Sequence, residues 1–267
     1  MVIDPKKRPL AASVQELGVF VLLKRIVIAL VAVALLLVAV ALGVKTEVVR
    51  PNMIFTPEGV KGVDTSEYQG AIDFEALSSA GIEFVYAKAS EGTTHVDAQF
   101  STTCEHASGS HVALGAYHFF SFDSPGETQA ANFIASAKAS WDDPAIRSLK
   151  PAVDVEWYGD KKQNPPQAED VRRELRAFVD AVEAACGHKP LIYTGNDVYD
   201  LYLKGYFDDC DLWISCRRWP AWVEWPQGGW TIWQYSDVGE MKGAANAEGH
   251  VDLDVLAKGL SVDDLIM

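Results

Sequence analysis

From residue 60 onward the sequence alternates short apolar segments with helical segments, and this alternation limits the possible folds more than any other feature. Each apolar segment has five to nine residues, the length of a buried strand. Strands that alternate with helices predict a parallel sheet, because a parallel connection needs a helix-length crossover. The predicted strands are 60–64, 82–90, 112–120, 151–156, 190–195, 211–215, 230–236 and 250–256.

Four helices are predicted between the first five strands, and two of them have clear end signals. Asp73 caps a short helix that Gly81 closes. Residues 168–186 carry apolar side chains along one face, and Gly187 ends that helix. The other two helices are 97–109 and 126–140. After the fifth strand, regular helices fade.

Eight strands within residues 60–256 predict an α/β fold, a compact (β/α) TIM-like barrel whose last strands lack helices. An open doubly wound sheet is the alternative. It is less favoured, because no glycine-rich phosphate loop follows the first strand. In such a barrel, active groups gather at the C-terminal ends of the strands.

An uncharged apolar run of 19 residues, 26–44, precedes this domain. At about 1.5 Å per residue, a helix of this length just spans a hydrocarbon core of about 30 Å. Lys24 and Arg25 precede the run, and the positive-inside bias places the N-terminus in the cytoplasm. We therefore predict a cytoplasmic tail (1–25), a transmembrane signal anchor (26–44), a linker (45–58) and an exported domain (59–267).

A cleaved signal peptide is the alternative to the anchor, with Ala39-Val40-Ala41 as a small-residue cleavage site. In that case the domain is secreted rather than tethered. The anchor is favoured, because the preceding region is long for a signal and the apolar run exceeds the usual 7–15 residues.

The exported part of the chain is strongly acidic. Residues 1–44 hold five basic and two acidic residues, which leaves 18 basic and 35 acidic residues in the remainder, a net charge of −17. Nucleic-acid binders usually show a basic face, so this class of function is excluded from the prediction. The sequence sets no oligomeric state, and a monomer is assumed.

All four cysteines, Cys104, Cys186, Cys210 and Cys216, lie in the exported part, where disulfides can form. Three pairings are possible, and buried free thiols are an equal alternative. Cys210 and Cys216 flank a predicted strand that would hold them about 20 Å apart, too far to bridge. Without a CxxC motif, a structural zinc site is not predicted. No cofactor is predicted.

Polar residues follow or end most of the predicted strands, at the positions where a barrel displays its active groups. His118 is expected to be a hydrogen-bonded barrel residue rather than a metal ligand. In chain order the polar residues are Asp64, Lys88, Ser90, Glu91, Tyr117, His118, Asp154, Glu156, Tyr193, Gln234, Tyr235, and Asp252 or Asp254.

Asp154 and Glu156 interrupt an otherwise apolar strand, PAVDVE. Side chains two apart on a strand face the same side, about 6.5–7 Å apart along the backbone. Crowding and burial raise carboxyl pKa values, so one member of the pair can stay protonated and act as a general acid. This pattern is typical of glycoside cleavage, which needs an acid and a second carboxylate near the sugar.

Six of the eight tryptophans fall between residues 213 and 233. Aromatic faces make flat apolar platforms that suit the C–H faces of sugars. We expect Trp213 or Trp233 to lie near the site, and Trp230 to fill the core where helices are missing.

The order of eight motifs resembles that of glycoside hydrolase family 25, the lysozymes or N-acetylmuramidases. These motifs are GVDTSEYQG, YAKASEGTT, GAYHFF, PAVDVEW, PLIYTG, LWIS, WTIWQYS and HVDLDV, and they extend from about residue 60 to 256. The resemblance implies a flattened, irregular (β/α) barrel. It also implies a catalytic domain that hydrolyses the β-1,4 bond between N-acetylmuramic acid and N-acetylglucosamine in peptidoglycan.

By position in these motifs, Glu156 would be the proton donor. Asp154 would orient the substrate's 2-acetamido group, whose oxygen attacks the anomeric carbon. Asp64 and Asp252 would line the same cleft and tune the pair. Further residues that would shape the cleft are Glu91, Tyr117, Tyr193, Gln234 and Tyr235.

Three residues depart from the family's usual pattern without removing a carboxylate. Tyr68 stands where the family usually has Trp, Thr65 where an aliphatic residue is usual, and Ser215 where Ala is common. The substrate subsites are therefore expected to differ. The anchor favours remodelling of the producer's own cell wall. The alternative functions are a non-catalytic peptidoglycan-binding module and a chitinase-like glycosidase on a related barrel.

Overall fold

The computed structural model describes residues 10–45, 57–244 and 249–267, which fall into two units, Met1–Arg50 and Pro51–Met267. Residues 1–9 of the predicted tail and 46–56 of the predicted linker lie outside the described residues.

One long helix, α1 (Leu10–Lys45), forms the described part of the first unit. It begins well before the apolar run and includes Lys24, whose ammonium lies 4.6 Å from the centre of the Phe20 ring. Within it, Gly18–Gly43 is long and apolar enough to cross a membrane, with a mean hydropathy of 3.2. An N-terminal signal sequence has the same properties, so the anchor stays a prediction.

The strands of the second unit form a closed barrel. Within the described residues they are β1 (Lys61–Thr65), β2 (Ile82–Glu91), β3 (His95–Val96), β4 (Ala113–Phe119), β5 (Ala152–Asp154), β6 (Leu191–Thr194), β7 (Leu212–Ser215), β8 (Ile232–Gly239) and β9 (Val251–Leu256). The sheet order is β1-β9-β8-β7-β6-β5-β4-β2-β3, and β1 also pairs with β2. That pairing closes eight strands into a ring and leaves β3 outside it. The barrel prediction is confirmed, and the open sheet is wrong.

The last strand departs from the predicted parallel arrangement. The other seven barrel strands run parallel, but β9 is antiparallel to both β8 and β1. The 11 residues between β8 and β9 are too few for a helical crossover, so the chain turns back. The N-terminal part of β9 therefore lies beside the C-terminal end of β1, and Asp252 pairs directly with Asp64.

Regular helices cover the barrel up to β6 and become short after it. They are α2 (Phe74–Ser79), α3 (Phe100–Ala107), α4 (Gly126–Trp141), α5 (Ala168–Cys186), α6 (Asn196–Val198) and α7 (Ala221–Glu224), with a π-helical turn at Tyr199–Leu203. Asp73 caps α2 by accepting the amide of Ala76 at 2.9 Å. The predicted apolar face of α5 is buried along its whole length.

Aromatic rings fill the interior of the barrel. Phe84 and Tyr86 are fully buried there. Their rings lie where side chains of Gly62 and Gly115 would stand, because a Cβ at either glycine would come within 2.2 Å of a ring atom. Glycine is therefore required on the strands that face these two rings.

A second aromatic group covers the outside of β7 and β8, where the helices are short. Trp225, Trp233 and Tyr235 are buried in this outer aromatic cluster, and Trp230 packs against it. Trp230 is thus a packing residue, as expected. None of the four cysteines, all of them within the described residues, forms a disulfide; Cys104, Cys210 and Cys216 are buried and Cys186 is partly exposed.

Candidate active site

A pocket of about 580 Å³, including its open mouth, lies at the C-terminal ends of the parallel strands. Four carboxyl groups, aromatic rings and one amide converge in it. The described residues that line it are Asp64, Ser66, Tyr68, Lys88, Tyr117, Phe119, Asp154, Glu156, Tyr193, Trp213, Gln234 and Asp252. Its mixed lining of carboxyl groups and aromatic rings is typical of sites for small molecules or sugar units.

Asp154 and Glu156 line this pocket together, although they do not share a strand. Asp154 ends β5, and Glu156 lies two residues beyond it. The predicted strand 151–156 is too long. The amide of Val155 donates to the Tyr193 carbonyl at 2.9 Å, and the chain leaves the sheet after this hydrogen bond. Asp154 is buried and Glu156 is partly exposed.

Burial is the main cause that raises the pKa of both carboxyl groups. The pKa of Asp154 is raised further by the nearby Glu156 and Asp64, whereas Lys88 acts in the opposite direction. For Glu156, the positive charges of Arg217 and Lys88 oppose the effect of burial on its pKa. The pair can therefore hold a proton at a pH where exposed carboxyl groups are ionised, as a general acid requires.

The side chain of Gln234 on β8 bridges the other two carboxyl groups of the pocket, Asp64 and Asp252, by hydrogen bonds. Its Nε2 donates to Asp64 Oδ2 at 2.8 Å and to Asp252 Oδ2 at 3.1 Å. Its Oε1 accepts the hydroxyls of Tyr193 at 2.8 Å and Ser215 at 3.2 Å. Burial raises the pKa of Tyr193, which keeps that hydroxyl protonated and able to donate. The Gln234 network thus holds both carboxyl groups in place.

These carboxyl groups also retain protons. Burial, with a contribution from Asp64, raises the pKa of Asp252 to about 9. Burial and the nearby Asp254 hold the pKa of Asp64 well above its ordinary value. Of the two aspartates predicted for β9, Asp252 lines the pocket, while Asp254 is fully buried.

Within the described ranges, no three His, Cys, Asp or Glu side chains are placed to hold a metal ion.

Trp213 is one of the aromatic residues that line the pocket. The sequence analysis expected either Trp213 or Trp233 to lie near the site. Its ring lies 5.1 Å from that of Tyr193 and 6.4 Å from that of Tyr117, both at steep angles. Its indole Nε1 donates to Asp254 Oδ1 at 2.8 Å. Trp233, the other candidate, instead belongs to the outer aromatic cluster.

Two predicted cleft residues lie outside the lining. Glu91 forms an ion pair with Lys88, so this lysine is paired with Glu91 rather than with the Asp154 or Glu156 carboxylate. Tyr235 packs into the outer aromatic cluster. Successive strand residues face opposite sides, so Tyr235 cannot share the inward face of its neighbour Gln234.

Arg217 was missed by the sequence analysis. It follows β7, and its Nη1 donates to Asp237 Oδ2 at 2.8 Å. Its positive charge lowers the pKa of Glu156. The sequence did contain a signal for Arg217. It is a basic residue just beyond a strand end, and few cations stand at such positions in this domain. Ser66 and Phe119 are also lining residues that the sequence analysis did not name.

The comparisons with known proteins agree on one family. A profile of the family described as "Glycosyl hydrolases family 25" matches residues 63–244. An N,O-diacetylmuramidase of Chalaropsis sp is 32% identical over 218 residues, which cover 75% of this chain and 100% of that protein. The uncharacterized protein YegX of Escherichia coli (strain K12) is 30% identical over 205 residues, covering 73% of this chain and 69% of YegX.

A solved structure of a family 25 glycosyl hydrolase from Bacillus anthracis is 37% identical to this chain, with a TM-score of 0.68. The match covers 78% of this chain and 94% of that one. The family profile includes Asp64, Asp154 and Glu156, while Asp252 lies beyond its last matched residue.

Proposed function

Because this chain belongs to glycosyl hydrolase family 25 and is a glycoside hydrolase of the lysozyme class, we propose that it hydrolyses the β-1,4 bond between N-acetylmuramic acid and N-acetylglucosamine in peptidoglycan. One observation carries the proposal: Asp154 and Glu156 line one pocket, and burial raises the pKa of both. An acid and a second carboxylate beside the sugar are what glycoside cleavage requires.

In this mechanism Glu156 is the general acid. It is the more exposed member of the pair, so a glycosidic oxygen can reach it. Glu156 gives its proton to that oxygen as the bond to the anomeric carbon breaks. Arg217 and Lys88, which lower the Glu156 pKa, stabilise the carboxylate that remains. That carboxylate later accepts a proton from the attacking water.

Asp154 has the role of orienting the substrate. Among the described residues, its Oδ1 is buried and has no hydrogen-bond partner. A buried carboxyl oxygen without a donor is costly unless a ligand supplies one. We assign that donor to the N–H of the 2-acetamido group. The acetamido oxygen then bonds to the anomeric carbon as the leaving sugar departs, and water opens this intermediate.

The other lining residues support this pair. Asp64 and Asp252, held by Gln234, form the polar opposite wall. Trp213, which is 2% exposed, packs with Tyr117 and Tyr193 at the floor of the pocket and supports the lining from below. Lying outside the lining, Glu91 would act through Lys88, and Tyr235 would act by packing alone.

Glu156→Gln tests the assignment of the acid. This change keeps the shape of the side chain and removes the proton, so release of muropeptides from purified peptidoglycan should fall by about 10³-fold or more. Glu105→Gln, at an exposed position on α3, is the matched control and should keep full activity. A folded Glu156→Gln protein with normal turnover would remove Glu156 from this role.

Mass spectrometry of the reduced digestion products tests the bond that is cleaved. A muramitol terminus supports the muramidase, and a glucosaminitol terminus overturns it. Faster cleavage of chitin than of peptidoglycan would favour the chitinase-like alternative. Binding to peptidoglycan without new reducing ends would indicate the non-catalytic module.

We further propose that α1 anchors the protein in the membrane and places residues 59–267 on the extracytoplasmic side, where it remodels the producer's own cell wall. The length and hydropathy of Gly18–Gly43 support this topology. Membrane fractionation with N-terminal sequencing tests it. A soluble protein that begins after Ala41 would indicate a cleaved signal. Lysis of foreign cells with no effect on the producer's wall would contradict the remodelling role.

A further inference from the structure

Beneath the pocket, Asp254 on β9 is a carboxyl group that no solvent reaches, with an exposed fraction of 0%. Its Oδ1 accepts the indole N–H of Trp213 at 2.8 Å. Its Oδ2 receives no hydrogen bond from an N–H or hydroxyl group of the described residues. In the pairing of β9 with β1, Asp254 faces Gly62, two residues along from the pair of Asp64 with Asp252.

The carboxyl group of Asp64 is the partner available to this oxygen. The side chains of Asp64 and Asp254 lie within hydrogen-bonding reach of each other. Two carboxyl groups can form a hydrogen bond only when one of them carries a proton, since an ionised carboxylate is an acceptor alone. Adjacent acids in an apolar site share one proton, because two like charges cannot both ionise there.

The surroundings favour retention of this proton. Burial holds the pKa of both groups above the ordinary value, and the nearby Asp252 raises the pKa of Asp254 further. The cations Lys88 and Arg217 act on Asp154, Glu156 and Asp252. Further titratable groups interact electrostatically with the two carboxyl groups, and each is neutral or negative. They are Tyr86 on β2, Tyr117 on β4, Asp154 on β5, Glu156 beyond it, Tyr193 on β6, Asp252 on β9 and, from the outer aromatic cluster, Tyr235 on β8.

We propose that Asp254 is a positioning residue for the hydrolytic reaction: it shares one proton with Asp64 and thereby fixes the direction in which the Asp64 carboxyl faces the substrate. The proposal rests on the function proposed above. With the shared proton in place, hydrogen bonds run from Trp213 through Asp254 and Asp64 to Gln234. The aromatic part and the polar wall of the pocket are thus joined beneath the substrate. Asp254 touches no substrate and acts through Asp64.

Two substitutions of similar size separate this role from simple packing. In Asp254→Asn, the amide can donate to Asp64 and its oxygen can accept from Trp213, so kcat should stay within about 3-fold of wild type. In Asp254→Leu both bonds are lost, so kcat should fall about 10-fold with KM changed less than about 2-fold, because a misplaced group slows chemistry more than binding. Equal kcat values for folded Asn and Leu variants would overturn the proposal.

A direct measurement follows the proton itself. Infrared spectroscopy of protein labelled with ¹³C-aspartate counts the aspartic acids that stay protonated at pH 7. Asp64→Asn and Asp254→Asn each remove one carboxyl group of the pair, and the double variant, which removes both, should lose one protonated group in all. A double variant that loses no protonated group, or loses two, would overturn the shared proton. This measurement decides the question even where Asp254→Leu does not fold.

The infrared count needs no turnover, so it separates this inference from the proposed function. An active wild-type enzyme whose double variant shows an unchanged count overturns the shared proton and leaves the muramidase proposal standing. A wild-type protein that shows the expected count but cleaves no peptidoglycan overturns both the proposed function and the positioning role.

Discussion

The two walls of the pocket differ in how completely their polar groups are bonded within the protein. On the β5 wall, Oδ1 of Asp154 has no partner among the described residues. The β9 wall stands four places away in the ring of eight strands, and there Asp64 and Asp252 are both held by Gln234. The difference indicates that the first wall keeps acceptor capacity for a substrate, while the second is preorganised before the substrate arrives.

The largest effect on this comparison is expected from Asp154→Asn. This change keeps the size of the side chain but removes the charge that holds the acetamido group, so kcat should fall about 10²-fold. Release of reducing ends from purified peptidoglycan is the measurement. Asp160→Asn, at an exposed position, is the matched control. If Asp154→Asn keeps more than half of the activity, the two walls do not differ as argued.

Gln234→Leu should have a smaller effect on activity and a larger one on stability. Asp64 and Asp252 lose a donor, and the Tyr193 hydroxyl loses its acceptor. We expect about a 10-fold fall in kcat and a loss of about 2–4 kcal/mol in unfolding free energy, since buried unpaired polar groups cost about 1–3 kcal/mol each. Denaturant unfolding measures the stability, with exposed Gln227→Leu as control. An activity loss larger than that of Asp154→Asn would reverse the comparison.

The β9 wall also makes stability depend on pH. In the folded protein the pKa of Asp252 is about 9, against an ordinary value of 3.8. The folded state keeps a proton that the unfolded chain releases, so stability should fall as pH rises from about 4 to about 9. Asp252→Asn removes this contribution and should weaken the decline by about 1 kcal/mol or more. Unfolding free energies at pH 5, 7 and 9 test this, and equal slopes would contradict it.

The smallest effect is expected from Arg217→Ala. The Arg217 charge lowers the pKa of Glu156, so its removal should raise that pKa. Glu156 then stays protonated to higher pH, and the alkaline limb of the kcat profile should move upward by less than about one pH unit. Arg173→Ala, an exposed residue on α5, should leave the limb in place. A downward shift would show that Arg217 does not act on the acid in this way.

The sequence predicted much of the site because parallel strands bring their C-terminal ends to one edge. From that rule alone, four of the lining residues were predicted to lie around one pocket: Asp64, Asp154, Tyr193 and Gln234. It failed for Tyr235 because neighbouring strand residues face opposite sides, and the rule does not say which one faces inward. Glu91 lies past an irregularity in the pairing of β2 with β4, which no local pattern in the sequence indicates.

The sequence by itself determined the alternation of strands and helices, the chemical groups at the strand ends and the apolar run at the N-terminus. These follow from local periodicity and composition. Only the tertiary structure decided that β9 runs antiparallel, that Gln234 joins Asp64 to Asp252, and that Asp254 lies against Asp64. Gln234 and Asp64 are 170 residues apart in the chain. Their contact depends on closure of the whole barrel, which sets register and orientation between strands that no local pattern relates.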